Sequence, residues 1–208
     1  MNSMLRPAPL AAALALALTI TPFAEVQAQD WFVRAGVTVV DPKNDNGRLA
    51  GGALESSVDS NTQLGLTIGY HFTPNIAVEL LASSKFDHTV SVNGAKAVDV
   101  SHLPPTLSLQ YYLMPESKVN PFLGLGINYT WLHDEDARGP LAGADVAVDN
   151  SWGVAFQGGV VVKLTERFEL IGDIRWIDID SGVYVNGANV GKVNIDPLVY
   201  SVMLGYRF

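Results

Sequence analysis

Apolar and polar residues alternate along most of this chain, and eight segments carry the alternation clearly. The second segment is the clearest, with an apolar residue at every even position from Leu64 to Phe72. Period-two alternation places such residues on one face of a β-strand. The eight segments begin near residues 31, 63, 76, 106, 122, 152, 168 and 193. The pattern therefore predicts an all-β protein.

The two faces of these segments favour a membrane barrel over a soluble one. The runs are about 9–11 residues long, which is the length that a tilted strand needs to cross a bilayer. The face opposite the apolar one holds mainly Gly, Ala, Ser, Thr and Gln, whereas a soluble barrel keeps bulky apolar residues inside. Aromatic residues gather at segment ends, as in interfacial girdles. We expect an eight-stranded antiparallel transmembrane β-barrel of a bacterial outer membrane.

The last segment, Leu198–Phe208, ends on an aromatic residue and has a wholly apolar face. An unpaired apolar edge strand would promote aggregation, so this strand must pair on both sides. A terminal strand that ends in Phe resembles the assembly signal of outer-membrane barrels. We therefore expect Tyr206 and Phe208 to act as that signal, with the barrel-assembly machinery as a partner.

The connections alternate between short and long. They are short after segments two, four and six and long after segments one, three, five and seven, at residues 41–61, 84–101, 132–150 and 180–192. Outer-membrane barrels have short periplasmic turns and long external loops. We expect periplasmic termini and long loops that face outward, near lipopolysaccharide.

The first 28 residues read as a cleaved export signal. Arg6 precedes an apolar run from Leu10 to Ile20, and Val26–Ala28 offers small residues for cleavage. Residues 29–208 would then form one barrel domain. The charged fraction is 16%, below the roughly 25% of soluble domains. The net charge of -8 without a basic stripe argues against nucleic acid, and the absence of cysteine excludes thiol chemistry.

Several motifs together resemble the OmpW family, in the right order along nearly the whole mature chain. They are Trp31–Gly36, His102–Leu107, Pro121–Thr130, Asp149–Gly153, Trp176–Asp180, Asp196–Pro197 and Gly205–Phe208. The resemblance implies an eight-stranded barrel that passes small hydrophobic molecules across the outer membrane without a cofactor. The family includes an alkane-import protein, but its members differ in substrate, so the solute stays open.

Eight strands leave room for side chains or one small ligand, so a straight aqueous channel is not expected. We expect an apolar funnel under the external loops and a sideways exit through the wall. Proline donates no backbone hydrogen bond, so Pro104 and Pro105 are the candidate lateral gate; they could also simply end a loop. The funnel candidates are Val40, Leu49, Leu54, Leu81, Leu103 and Leu141. Candidates for a paired charge plug in the lumen are Arg34, Glu79, Glu169, Asp173, Arg175 and Arg207.

Two other kinds of function are weaker. Some eight-stranded barrels modify lipid A, but the possible dyads His88 with Ser91 and His102 with Ser101 lack a recognisable nucleophile motif. The acidic stretch His133–Asp136 could hold a cation, although such loop tips are usually just solvated. We expect no catalytic or metal site. A passive anchor or adhesin barrel remains the main alternative, and its loops should lack a shared apolar floor.

Overall fold

A computed structural model describes residues 31–43 and 45–208. In this part of the chain eight antiparallel strands close into a barrel, because the last neighbour in the sheet pairs back with the first. In order around the barrel they are β1 (Trp31–Asp41), β4 (Asn61–His71), β5 (Ile76–Ser83), β8 (Thr106–Tyr112), β9 (Val119–Ala137), β11 (Ser151–Lys163), β12 (Phe168–Ile177) and β15 (Leu198–Arg207). The predicted fold is confirmed. The predicted signal peptide, residues 1–28, lies outside the described residues.

The barrel has its apolar face outside and its polar face inside. Outward residues such as Leu64, Leu123 and Val202 are each more than half exposed. Inward residues such as Arg34 and Gln110 are almost completely buried. This is the reverse of a soluble domain, and it is the arrangement of a transmembrane barrel.

Aromatic rings form clusters at both ends of the outward band. At the end where Trp31 and Phe208 lie, hereafter the terminal end, Tyr206 contacts both Phe168 and Phe208, with ring centroids 5.2 Å apart in each pair. At the opposite end, hereafter the loop end, Tyr129 and Trp152 lie 4.7 Å apart. Among the described residues, no helix is long and apolar enough to cross a membrane.

Seven shorter strands extend the barrel wall at the loop end. They are β2 (Arg48–Leu49), β3 (Leu54–Val58), β6 (Phe86–Val92), β7 (Ala95–Leu103), β10 (Val146–Val148), β13 (Asp180–Val185) and β14 (Ala188–Asn194). Two short 3-10 turns, Ala50–Gly52 and Gly139–Leu141, lie among them. The pairing order β10-β13-β14-β2-β3-β6-β7-β9 makes them one continuous extension.

The long connections are thus largely folded, which the sequence pattern did not indicate. Above a membrane both faces of a strand can carry polar groups, so the alternation that marks the barrel fades. Two Asn-Gly pairs were the available signal. Asn93–Gly94 and Asn186–Gly187 have φ near +50° and +80°, the conformation of two-residue hairpin turns. They join β6 to β7 and β13 to β14.

Candidate functional site

A buried ion network fills the middle of the lumen. The guanidinium of Arg34 donates to Glu79 at 2.6 Å, to Glu169 at 2.9 Å and to the hydroxyl of Tyr112 at 3.0 Å. All four side chains are at most 4% exposed. The second carboxylate oxygen of Glu79 accepts from Arg175 at 3.1 Å. Each buried charge in this set therefore has an opposite charge within hydrogen-bonding distance.

Amide side chains extend the network across the barrel. Tyr112 donates to Gln110, Gln110 donates to Gln157, and Gln157 donates to Asp173. Asp173 also lies 3.8 Å from Arg175. The structure thus brings together five of the six predicted plug residues. Arg207 lies nearer the terminal end, where it shares a polar cavity with Glu169.

Glycines on the inward face make room for these side chains. A Cβ on Gly205 would lie 2.6 Å from Cγ of Glu169, and a Cβ on Gly69 would lie 2.1 Å from the ring of Phe32. The Phe32 ring in turn supports the Arg34 guanidinium at 4.0 Å. These in-strand glycines, costly for strand stability by themselves, allow the plug to pack.

An apolar layer closes the lumen on the terminal side of the network. It consists of Phe32, Ala77, Tyr112, Phe122, Val161 and Ile171. The rings of Tyr112 and Phe122 stack with centroids 5.2 Å apart. The ion network and this layer together obstruct an axial path, as the small radius of an eight-stranded barrel predicts.

The barrel wall is interrupted between β5 and β8 near the loop end. The ladder between β5 and β8 ends at the pair Leu81 and Thr106, and the ladder between β6 and β7 begins at Phe86 and His102. Among the described residues, no backbone hydrogen bond joins residues 82–85 to residues 103–105. We call this unpaired stretch the seam.

The two prolines face different neighbours. The carbonyl of Pro105 accepts from the backbone N–H of Tyr129 at 3.0 Å, so Pro105 faces β9. Successive residues of a strand face opposite neighbours, which places the missing N–H of Pro104 on the seam side. The carbonyl of Pro104 accepts instead from the side chains of Thr106 and Asn128, each at 3.2 Å. Pro104 therefore offers β5 no backbone donor, and its carbonyl is already engaged by Thr106 and Asn128.

Three apolar clusters line the loop-end half, and they contain four of the predicted funnel residues. Val40 belongs to one cluster, Leu49 and Leu54 to a second, and Leu141 packs against a third. Leu81 is buried beside the seam. Leu103 pairs with the outward residue Trp131, so its predicted position inside the funnel is wrong. The pairing of Leu103 with Trp131 turns its side chain outward, and this pairing cannot be read from the sequence of a connection.

Phe86 is a lumen residue that the sequence patterns missed. It follows the seam directly, is 1% exposed, and belongs to the same cluster as Val40 and Ile177. β12, which carries Ile177, is opposite β5 in the ring of eight strands. The ring of Phe86 stacks on His102 with centroids 5.3 Å apart, and His102 stacks on His88 at 4.9 Å. Alternation within residues 86–92 was the signal that could have found it.

The terminal residues lie in the predicted aromatic belt. The backbone N–H of Phe208 donates to the carbonyl of Trp31 at 3.0 Å, and Arg167 donates to the hydroxyl of Tyr206 at 3.1 Å. The end of β15 is thus held by β1 and by the turn before β12. The role of Tyr206 and Phe208 as an assembly signal stays a prediction.

Comparison with known proteins agrees with this geometry. The sequence model that describes the OmpW family matches residues 27–208. The chain belongs to the OmpW family. Outer membrane protein W of Salmonella typhimurium is 40% identical over 206 residues, which cover 95% of this chain and 97% of that one. The crystal structure of OprG from Pseudomonas aeruginosa has a TM-score of 0.78 at 36% identity, covering 87% of this chain and 96% of that one.

More distant relatives extend the comparison. Outer membrane protein AlkL of Ectopseudomonas oleovorans is 29% identical and covers 86% of this chain and 82% of its own length. The dibenzothiophene metabolism operon protein PahQ of Pseudomonas aeruginosa is 26% identical and covers 77% of each. This OmpW-family chain is therefore an outer-membrane β-barrel, and such a barrel sits in a lipid bilayer.

The histidines of this OmpW-family barrel are not arranged as hydrolytic dyads. The hydroxyl of Ser101 donates to Asp87 at 2.7 Å, and neighbouring residues on β7 face opposite sides, so Ser101 and His102 do not meet. His88 Nδ1 lies 2.6 Å from the carbonyl oxygen of Asp59. The curated relatives above are named as outer-membrane proteins or by operon, not as enzymes.

One acidic group could attract a cation. Carboxylate oxygens of Asp178, Asp180 and Asp196 lie within 4.8 Å of one another. Burial and then the two neighbouring carboxylates raise the pKa of Asp178. However, Lys43 pairs with Asp196 at 2.6 Å, and Asp196 accepts from the backbone N–H of Ile179. We therefore interpret these three aspartates as structural residues that hold the strand ends together. In the predicted stretch His133–Asp136, Asp136 pairs with Arg138.

Proposed function

We propose that this OmpW-family barrel passes small hydrophobic molecules across the outer membrane. The solute enters between the apolar clusters at the loop end and leaves sideways through the seam beside Pro104. The termini lie in the periplasm and the loop end faces outward, close to lipopolysaccharide. The barrel-assembly machinery inserts the protein by its last strand. No reaction is catalysed.

The seam carries this proposal. Along this stretch of the described chain, residues 82–85 and 103–105, the wall lacks backbone hydrogen bonds where it meets the apolar half of the lumen. A hydrophobic solute in this half gains nothing by crossing a buried ion network, because charged groups would have to lose their partners. Passage sideways into lipid requires no such loss.

The apolar clusters and the relatives support the class of solute. The clusters around Leu49 and Val98 join residues from different loop-end strands into shared apolar floors. A passive anchor needs no such floors. The name of the relative PahQ links that protein to an operon for dibenzothiophene, a flat apolar molecule. For this chain we infer an apolar solute small enough for an eight-stranded barrel.

A reversible crosslink across the seam tests the proposal, because the chain has no native cysteine. Continuing the register of β5 and β8 by one step sets Ala82 opposite Pro105, both on the outward face. In the variant A82C/P105C, oxidation should lower uptake of a hydrophobic tracer severalfold, and a reductant should restore it.

The matched control is L80C/L107C, whose two positions are register partners in the intact ladder on the same face. Oxidising this pair should leave uptake unchanged, since that stretch is already closed. Both crosslinks are scored by mobility on gels before transport is measured. If oxidation of the seam pair goes to completion and uptake is unaffected, the sideways route is wrong.

A further inference from the structure

The aromatic ring of Phe86 fills a place inside the loop-end half of the lumen. Phe86 is 1% exposed, and it packs with apolar side chains from β1, β11, β12 and β15 or from residues next to them. These side chains are Val40, Ala155, Ile177, Ile179 and Val199. Phe86 also follows residues 82–85 of the seam directly. A single side chain therefore fills the lumen beside the proposed exit.

Two histidine rings form a stack with this ring. The rings of Phe86 and His102 are inclined at 16° with centroids 5.3 Å apart, and those of His102 and His88 at 18° with centroids 4.9 Å apart. Offset rings at such separations attract each other beyond the effect of the area they bury. All three side chains are at most 5% exposed. The surroundings of Phe86, apolar on one side and aromatic on the other, thus fit a flat ring.

His88 adds one hydrogen-bonding atom to these surroundings. Its Nδ1 lies 2.6 Å from the carbonyl oxygen of Asp59, which can only accept, so Nδ1 carries the hydrogen. Burial lowers the pKa of His88 and so favours the neutral ring, in which Nε2 bears a lone pair. Among the described residues, this buried Nε2 has no hydrogen-bond partner. A buried acceptor without a donor is costly, so its retention needs a reason.

We propose that the place of the Phe86 ring is a binding site for a planar aromatic molecule with one hydrogen-bond donor, an N–H or O–H on its ring. The molecule stacks on His102 and donates to Nε2 of His88. The ring of His88 is centred 6.3 Å from that of Phe86, so a second fused ring in the place of Phe86 reaches it. This assignment rests on the proposed passage of hydrophobic molecules and narrows their class.

The Phe86 side chain is the displaceable occupant of this site. It leaves by rotating about χ1 to another staggered rotamer, while the backbone of β6 stays paired with β7. An aliphatic molecule of similar size would bury the same apolar area. It would neither stack on His102 nor satisfy Nε2 of His88, so it would not compensate for the contacts that Phe86 gives up.

The test titrates the detergent-solubilised barrel at pH 8 with indole and, separately, with 1-methylindole, which has the same rings but no N–H. The backbone amides of β6 and the Nε2 resonance of His88 are followed by NMR. Both probes should shift the amides saturably, and only indole should shift the Nε2 resonance in the direction of an accepted hydrogen bond. Absence of a saturable shift with both probes, or equal Nε2 shifts with the two, would overturn the proposal.

Two variants locate the contacts. H88F keeps an aromatic ring and removes the acceptor, so the ratio of indole affinity to 1-methylindole affinity should fall at least fivefold. This ratio is compared between proteins in the same micelles, so partition of the probes into detergent cancels. H102L removes the stacking ring and should weaken both probes at least fivefold. The matched control is H133F, because His133 pairs with Ser101 and stacks on the outward residue Trp131. Equal changes in H133F and H88F would refute the site.

F86A tests the displacement. Without the occupant, the folded barrel should bind indole at least fivefold more tightly than wild type, with folding scored on unboiled gels. Unchanged or weaker binding by folded F86A would refute Phe86 as the occupant. These titrations measure binding without transport, whereas the seam crosslink measures passage. Absence of saturable binding therefore refutes this site alone, and uptake that ignores the completed crosslink refutes the sideways route alone.

Discussion

The terminal and loop-end halves of the lumen differ in the side chains that fill them and in the backbone pairing of the surrounding wall. In the terminal half, Arg34, Glu79 and their partners form a buried hydrogen-bond network above a layer of packed rings. In the loop-end half, apolar clusters from several short strands line the interior. The seam interrupts the wall only beside this second half. A molecule held at the loop end therefore meets an obstructed axis and a weakened wall.

The contrast also separates two uses of polar groups. In the terminal half the polar groups are buried ion pairs, and separating Arg34 from Glu79 or Glu169 would leave a buried charge without its partner. Around Pro104 the wall is weakened by the loss of backbone pairing and not by charge. We therefore propose that stability and passage depend on different groups, so that each can be altered without the other.

The largest effect is expected from breaking the ion network at Glu79. In E79A both Arg34 and Arg175 lose a carboxylate while they stay buried. Removing one partner of a buried pair costs about 3–5 kcal/mol. The variant should unfold at lower temperature than wild type in detergent, measured by the loss of the compact band on unboiled gels.

The control for this change is E166A, which removes an exposed glutamate from the turn before β12. Its melting should match wild type, since an exposed charge contributes little. Equal melting of E79A and wild type would show that the network does not stabilise the terminal half.

Much of the barrel could be predicted because the membrane imposes the same rule on every strand. Alternation from Leu64 to Phe72 holds because lipid faces one side and the lumen the other. Five of the plug residues were also predictable, since a charge on an inward position of a narrow barrel must find a partner. The partners themselves, such as Tyr112 and Gln157, could not be assigned without the tilt of the strands.

The loop-end half was less predictable for a related reason. Outside a membrane both faces of a strand can be polar, so the folding of residues 84–101 was not detected. Leu103 was assigned to the lumen on its apolar character alone, but the register with Trp131 turns it outward. Phe86 was missed because it lay in a presumed loop. The register of the strands, and not their composition, decides which of these residues face the lumen.

A smaller effect is expected when acidic pH lowers the stability of the loop-end half. Burial lowers the pKa of His88, and it lowers that of His102 to about 3, from an ordinary value near 6.5. Asp59, beside His88, only partly opposes this. Both rings therefore take up protons less readily in the folded protein than in the unfolded strands, which are protonated below about pH 6.5. The loop-end half therefore has its full stability above about pH 6.5, and it loses stability as the pH falls towards 3.

At pH 6 the loss of stability from His102 is about 1 kcal/mol, and the lowered pKa of His88 acts in the same direction. Amide hydrogens of β6 and β7 should therefore exchange faster at pH 6 than at pH 7.5, after correction for intrinsic rates. Those of β11 and β12 should not change. The double variant H88F/H102F should lose the pH dependence. If the amide hydrogens of all four strands exchanged faster at pH 6 to the same extent, the acid effect would not be specific to the loop-end half.

The smallest change, one backbone donor, gives the sharpest test of the comparison. P104V restores an N–H on the seam side, whereas P105V restores one that faces β9. A backbone hydrogen bond contributes about 1 kcal/mol, which alters an open population about fivefold. Uptake of a hydrophobic tracer should fall severalfold in P104V and stay near wild type in P105V, while both melt at or above the wild-type temperature. If P105V lowers uptake as much as P104V does, passage depends on the proline pair as a rigid turn and not on the unpaired seam.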